Sequence, residues 1–283
     1  METAASDVKF MQRCLELARK GKGKTGLNPM VGCVIVHRGS IIGEGYHKEF
    51  GGSHAEVNAI SSVKNHNLLI ESTLYVNLEP CSHFGKTPPC SLLIKEKSIP
   101  RVVIGVKDPN PKVAGQGIAS LQKAGIIVKA GILERESIHL NRRFFINVLK
   151  KRPYVILKWA ESKDGFLDKI RIPDSPIQPT WITNFTARKL VHKWRGEEDA
   201  IFAGVNTIIA DDPALNLRDW SGNQPVRVCI DRYNRIGSQS KIKDGKQKTF
   251  LFSEGSRDSD KTYHEEIQPG FSLADMLIFL FKK

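Results

Sequence analysis

The sequence predicts an α/β fold divided into two domains, and three observations support this. Short runs rich in β-branched residues alternate with stretches whose apolar residues recur at helical spacing, which is typical of sheets covered by helices. The chain has 283 residues, and a domain takes about 150. Pro153 follows a helical stretch that ends in basic residues, which places the boundary between residues 1–150 and 151–283.

The first domain begins with a predicted helix over residues 7–20, where Met11, Leu15 and Ala18 share an apolar face. A Gly/Lys loop follows this helix. The β-branched run 31–36 and the run after the next turn predict a hairpin. The second hairpin strand is predicted at 41–45. Helices are predicted at 54–64, from about Cys90 onward and at 118–124. Strands are predicted at 73–78, 102–106 and 126–130.

The second domain begins with a predicted strand at 154–158, directly after a helix at 140–151 that ends the first domain. The polar stretch 237–262 is expected to be a surface loop or a frayed edge, and the apolar stretch 271–281 an amphipathic helix. Further predicted elements are a helix at 186–195 and strands at 200–204 and 226–231.

The composition indicates a cytoplasmic protein without a membrane span. Hydrophobic residues make up 40% and charged residues 26% of the chain, as in ordinary globular proteins. No apolar run approaches the roughly 18 residues that a span needs, and the start lacks the basic and then apolar order of a signal peptide. The five cysteines show no disulfide framework, which predicts reduced thiols, two of them bound to metal.

The formal net charge of +13 allows two interpretations. One is a nucleic-acid partner, and the other is a solvated basic surface that gathers small anionic substrates. Lys and Arg residues are spread along the chain, with only short clusters at 20–24 and 150–152. The spread favours the second interpretation.

The motif His54-x-Glu56, followed by Cys81 and Cys90, predicts a catalytic zinc centre. Nucleobase deaminases carry H-x-E followed by P-C-x-x-C, with one His and two Cys ligands and a Glu that does not bind the metal. A proline precedes the first cysteine here as well, but eight residues rather than two separate the cysteines. We therefore expect His54, Cys81 and Cys90 to bind zinc, and Glu56 to be catalytic.

These residue types suit hydrolytic deamination. Catalytic zinc usually takes three protein ligands and keeps one position open for water, whose pKa it lowers toward neutrality. Glu56 would then carry protons to the ring and to the leaving amine. The alternative is a closed structural zinc site with four ligands. His83 would have to be the fourth ligand, and its position two residues after Cys81 disfavours that.

Three residues near the motif are candidates for substrate binding. Asn28 precedes Pro29 in an extended loop, where its amide could read a base edge, although Asn-Pro is also a common turn. His83 and Lys86 lie between the two cysteines and could bind a phosphate or ribose. The alternative for this stretch is a solvated loop.

Four segments together resemble the bifunctional deaminase/reductases of bacterial riboflavin biosynthesis. They are residues 28–36, 54–59, 78–90 and 108–117, and the third is specific to this branch of the deaminases. The resemblance implies a cytidine-deaminase-like α/β/α sandwich followed by a dihydrofolate-reductase-like α/β domain. It also implies that 2,5-diamino-6-ribosylamino-4(3H)-pyrimidinone 5′-phosphate is deaminated to 5-amino-6-(5-phosphoribosylamino)uracil, whose ribosyl group is then reduced to ribityl with NADPH.

The resemblance extends to the second domain through residues 157–165, 181–183 and 210–215. It assigns two sets of site residues there. Ala160, Trp181, Thr207 and Asp211 would lie against NADPH, and Arg195, Leu215 and Arg218 would hold the substrate, the arginines being suited to its phosphate.

Two departures from the family pattern affect these expectations. The connection 169–180 is longer than usual, and Pro179 falls where the family often has a small hydroxyl residue near the substrate. The chain ends at residue 283, where the family continues with a strand and a Gly-Gly phosphate-binding loop. We therefore expect an incomplete reductase domain that binds NADPH poorly. It would belong either to a fragment of a complete enzyme or to a deaminase whose reductase half is inactive.

Two other classes of function compete with this interpretation. A deaminase acting on tRNA or single strands would account for the charge, but the cysteine spacing and the reductase-like half argue against it. A zinc-stabilised scaffold would have no need of Glu56. We expect a small-molecule substrate, no nucleic-acid or membrane partner, and, from the resemblance, a homo-oligomer formed through the reductase half.

Overall fold

The computed structural model describes residues 4–84, 88–111, 113–170, 180–255 and 264–282. The chain divides into two compact units, Met1–Tyr154 with Leu277–Lys283 and Val155–Met276. We propose that the functional domains are divided near residue 150. No helix in the described part of the chain is both long and apolar enough to span a membrane.

The first unit is built on a five-stranded sheet. Its elements are α1 (Ala4–Arg19), β1 (Gly32–His37), β2 (Ser40–Tyr46), α2 (Ala55–Ser61), a 3₁₀ helix (His66–Glu71), β3 (Ser72–Leu78), α3 (Cys90–Glu96), β4 (Arg101–Val106), α4 (Gln116–Lys123), β5 (Ile127–Ala130), α5 (Glu134–Leu140) and α6 (Arg142–Lys150). The strand order is β2-β1-β3-β4-β5. β1 is antiparallel to β2 and β3, and β3, β4 and β5 are parallel.

Both faces of this sheet are covered, because successive side chains of a strand point to opposite faces. On β1, Cys33 and Ile35 join a core with residues of α2, α3 and α4. The alternate residues Val34 and Val36 join a second core with α1. The α/β/α sandwich follows from this alternation.

Glycines let α2 lie directly on β2. A Cβ atom at Gly45 would come 2.3 Å from the Ala59 nitrogen, and one at Gly43 would come 2.7 Å from the Ala59 oxygen. Any larger residue would push the helix off the strand. The close contact fixes the beginning of α2, where the metal-binding motif lies.

The second unit is built on a four-stranded parallel sheet, with strand order β6-β7-β8-β9. The remaining elements of the chain are α7 (Phe185–Arg195), β6 (Ala200–Phe202), α8 (Val205–Asp211), β7 (Val226–Ile230), a 3₁₀ helix (Lys241–Lys243), β8 (Thr249–Ser253), β9 (His264–Glu266) and α9 (Leu273–Lys282). Its core contains Ile208, Leu215, Cys229 and Leu251.

Arg227, on β7, is fully buried in this unit. Its guanidinium donates hydrogen bonds to Thr249 Oγ1, to the Asp244 carboxylate and to the carbonyl oxygens of Ala214, Lys241 and Gln247. A buried charge is tolerated when it is paired and its donors are satisfied, as they are here.

Several sequence predictions need correction. The run 154–158 is not a strand, because no described strand pairs with it and its residues from 155 to 158 are exposed. The stretch 237–262 is not all loop, because Thr249–Ser253 forms the buried strand β8. The helix predicted at 140–151 is α6, Arg142–Lys150, but the separate helix α5 that ends before Asn141 was not predicted.

Candidate metal centre

The residues of the motif converge where two helices begin. His54 is the N-cap of α2, in an extended conformation, and Cys90 is the first residue of α3. Cys81 follows the end of β3. The His54 Nδ1 atom lies 3.6 Å from Cys81 Sγ and 3.3 Å from Cys90 Sγ. All three ligand atoms lie within 4.8 Å of one another, which is close enough to share one metal ion.

The two cysteines are joined by backbone hydrogen bonds. The Cys90 backbone N–H donates to Cys81 Sγ at 3.2 Å, and the Ser91 N–H donates to the Cys81 carbonyl. Hydrogen bonds with the Cys90 side chain and His54 outweigh burial and lower the pKa of Cys81, which favours its thiolate form.

The donor set fits zinc. Two thiols and one imidazole are ligands that zinc prefers, and three protein ligands are usual at a catalytic site. Within the described residues, the cluster of potential ligands holds these three and does not include His83.

Glu56 lies beside the cluster on the first turn of α2 and is only 3% exposed. Burial raises the pKa of its carboxyl to about 6, although the neighbouring His54 opposes the shift. A carboxyl group with a pKa near neutrality can both accept and return a proton under physiological conditions.

Asn28 lies at the same edge of the sheet and is held there by His47. The Asn28 Nδ2 atom is 3.2 Å from His47 Nε2, and His47 Nδ1 is 3.1 Å from the carbonyl oxygen of Ser53. Sequence reasoning missed His47. The available signal was its position directly after β2, because β2, β3 and β4 all end at this edge.

Two buried asparagines fix the backbone that follows Asn28. The Asn141 amide accepts from Met30 N at 2.8 Å and donates to Met30 O at 2.9 Å. The Asn77 amide donates to the same oxygen and accepts from Gly32 N. The loop that carries Asn28 is therefore positioned from three places in the chain: His47 after β2, Asn77 on β3, and Asn141 between α5 and α6.

The segments after β3 and β4 form another side of the centre. His83 is exposed, and Lys86 lies outside the described residues. Burial raises the pKa of Asp108, and His83 lies close enough for its charge to oppose that shift. Asp108 was not among the expected site residues.

In the second unit, the expected cofactor residues occupy separate elements. Ala160 lies half-buried on an irregular segment, and Trp181 is exposed with the Arg188 guanidinium 4.3 Å from its ring centre. Thr207 and Asp211 lie exposed on α8. No hydrogen bond joins these two pairs in the described part of the chain.

The expected substrate residues of the second unit do come together. The Arg195 side chain donates to the Asn216 carbonyl at 2.5 Å, between the buried Leu215 and the exposed Arg218. Burial, followed by the charge of Arg218, lowers the pKa of Arg195. The Asp219 carboxylate, 3.6 Å from Arg218 Nε, opposes this shift and is an anionic partner within the chain.

Two regions of the chain match known protein families. Residues 4–106 match the cytidine and deoxycytidylate deaminase zinc-binding region, and residues 153–280 match the RibD C-terminal domain. The riboflavin biosynthesis protein RibD of Aquifex aeolicus is 38% identical over 278 residues, which is 96% of this chain and 76% of that protein. The chain belongs to the RibD family. It carries the family's zinc-binding deaminase region and its reductase domain, as the sequence predicted.

Solved structures confirm the predicted fold class. A diaminohydroxyphosphoribosylaminopyrimidine deaminase/5-amino-6-(5-phosphoribosylamino)uracil reductase from Thermotoga maritima is 38% identical, with a TM-score of 0.87 over 99% of this chain and 78% of that one. Acinetobacter baumannii RibD is 37% identical, with a TM-score of 0.86.

The share of each relative that this chain spans varies. RibD of Actinobacillus pleuropneumoniae is 46% identical over 226 residues, which is 80% of this chain and 58% of that protein.

Proposed function

We propose that this chain deaminates 2,5-diamino-6-ribosylamino-4(3H)-pyrimidinone 5′-phosphate to 5-amino-6-(5-phosphoribosylamino)uracil. We also propose that its second domain reduces the ribosyl group of that product to ribityl with NADPH. Both reactions belong to riboflavin biosynthesis, and the Thermotoga maritima relative is described by both.

One observation supports the deamination most directly. His54, Cys81 and Cys90 present three zinc ligands within 4.8 Å of one another, and the buried Glu56 lies on the first turn of the same helix. A structural zinc site has no use for a buried carboxyl group that is not a ligand. A hydrolytic site needs such a group to move protons.

The residues of the first unit divide the chemistry among them. Zinc, when bound by His54, Cys81 and Cys90, supplies a Lewis acid that makes water nucleophilic near neutral pH. Glu56 accepts a proton from the attacking water and returns one to the departing amine, which leaves as ammonia. Asn28, oriented by His47, binds the polar edge of the pyrimidine. His83 and Lys86 bind the ribose or the phosphate.

In the second unit, Arg195 and Arg218 bind the substrate phosphate and Leu215 packs against its ring or ribose. Ala160, Trp181, Thr207 and Asp211 bind NADPH. We further propose that the protein acts in the cytoplasm on this small molecule, without nucleic acid, and that it forms a homo-oligomer.

Mass spectrometry of the products tests the proposal. Zinc-loaded wild type, Glu56→Gln and, as a control, Glu49→Gln at an exposed position are incubated with the diaminopyrimidinone phosphate and NADPH. The proposed reduction requires NADPH binding despite the poor binding expected from the sequence, so it predicts the ribityl product from wild type and control. Because Glu56→Gln removes the proton carrier but no ligand, it should retain zinc and lose about 10²- to 10⁴-fold in deamination rate.

The outcomes separate the alternatives. The deaminated uracil with an unreduced ribosyl group would mean a deaminase whose reductase half is inactive. Unchanged deamination by Glu56→Gln would contradict the assigned mechanism. No small-molecule product, together with ammonia release from RNA, would favour a nucleic-acid deaminase instead.

A further inference from the structure

We infer that Glu79 is a positioning residue that holds one segment, residues 108–111 and 113–118, against the metal centre and thereby sets the affinity for the deaminase substrate. This inference rests on the proposed deamination. Glu79 would contribute neither to zinc binding nor to the chemical step.

The Glu79 carboxylate is buried and accepts three backbone hydrogen bonds. Its Oε2 atom accepts from Asp108 N at 3.1 Å and from Gly115 N at 2.9 Å. Its Oε1 atom accepts from Ile118 N at 3.2 Å. The Glu79 side chain therefore binds both ends of a segment that begins shortly after β4 and ends in the first turn of α4.

The same segment touches the backbone beside a metal ligand. A Cβ atom at Gly117 would come 2.1 Å from the carbonyl oxygen of Pro80, the residue before Cys81. Gly115 has a φ of 79°, in the left-handed region that glycine adopts at little cost. The two glycines let the segment lie flat against the chain that leads into the metal centre.

The placement matters for substrate because the segment begins at Asp108. Since β3 and β4 are parallel, the half-buried Asp108, which follows β4, lies at the edge where β3 leads into Cys81. A shift of the segment would therefore move one wall of the metal centre. His54, Glu56 and Cys90 make none of these contacts. Cys81 is also held by hydrogen bonds from Cys90 N and Ser91 N of α3, so the ligands should stay in place.

A carboxylate is required here because all three partners are N–H donors. Glutamine has the same shape, but its amide NH₂ group must face at least one of the three N–H groups and cannot accept from it. A buried donor left without an acceptor is costly, so the segment should move to satisfy it.

The test compares Glu79→Gln with Glu96→Gln, an exposed control at the last residue of α3, in the full chain. Steady-state deamination gives KM and kcat, and metal analysis gives the zinc content. Because the lost hydrogen bonds act on the wall and not on the ligands, we expect Glu79→Gln to raise KM about tenfold. Its kcat and zinc content should stay within about twofold of the control.

A second variant displaces the same segment by changing its contact with Pro80 and leaves the Glu79 carboxylate intact. Gly117→Ala should raise KM in the same way by pushing the segment off Pro80. Since both changes displace one segment, the double variant should cost less than the product of the single effects.

Three results would overturn the inference. One is an unchanged KM in both variants. Another is a loss of zinc or kcat at constant KM, because a purely structural role lowers the amount of competent enzyme. The third is failure to recover either variant as folded protein, which would make Glu79 a residue of the fold.

Glu56→Gln is assayed in parallel. If it stays active, the proposed deamination fails, and if it is inactive while KM of Glu79→Gln is unchanged, only this inference fails.

Discussion

The sheets of the two units differ in how fully their apolar residues are covered. All seven residues of β3 in the first unit are buried. In the second unit β7 and β8 are largely buried, but Phe202 on β6 is 47% exposed and Leu157 on the irregular segment is 77% exposed. An apolar run becomes a strand only where another strand completes its hydrogen bonds. Every strand predicted in the first unit has such a partner. Within the described residues of the second unit, the run 154–158 has none.

The largest expected effect tests whether the two units work independently. Cys81→Ser replaces a soft thiolate ligand with a hydroxyl that binds zinc weakly, so zinc content and deamination should both fall to near zero. NADPH oxidation with the deaminated uracil as substrate should keep its wild-type rate. Metal analysis measures the zinc content, and the absorbance of NADPH measures the rate of reduction.

The matched control for this change is Cys14→Ser. Cys14 is buried and donates to the Tyr75 carbonyl at 3.3 Å, a bond that serine can also make. We expect full zinc content from it. Loss of reduction in Cys81→Ser, but not in the control, would show that the second unit depends on the first.

The next prediction compares the effect of replacing leucine with alanine in the two units. Leu74, on β3, is fully buried, whereas Leu157 is mostly exposed. Leu74→Ala should lower the free energy of unfolding by about 2–5 kcal/mol, because it loses apolar burial and leaves a cavity. Leu157→Ala should change it by no more than about 0.5 kcal/mol. Urea unfolding measures both, and similar losses would mean that residues 155–159 are covered in solution.

The smallest effect is a pH dependence confined to the first unit. Burial alone would raise the pKa of Asp7, but hydrogen bonds from Lys129, Arg101 and Tyr75 outweigh it and hold the pKa below its ordinary value. The stabilisation is therefore complete above about pH 3.9 and is lost as the pH falls through the lower folded value. The urea midpoints of wild type and Asp7→Asn should differ most at pH 7 and converge toward pH 2. A constant difference would contradict this.

The sequence predicted what local spacing encodes. His54, Cys81 and Cys90 were found from their motif, and the hairpin from its β-branched runs and turn. The hydrogen bonds between the Asn141 amide and Met30 were not predicted, because the two residues are far apart in the sequence. His47 and the three donors to Glu79 were missed for the same reason, since tertiary contacts brought them to the site.

The bond between Asn141 and Met30 also bears on how the protein is made. The three zinc ligands have all left the ribosome once Cys90 emerges, but Asn141 follows about fifty residues later, or about 3–10 s at ordinary rates of synthesis. Until then the loop with Asn28 lacks one of its anchors. A nascent chain in this interval carries all three proposed zinc ligands, but the backbone that follows Asn28 does not yet have its bonds to Asn141.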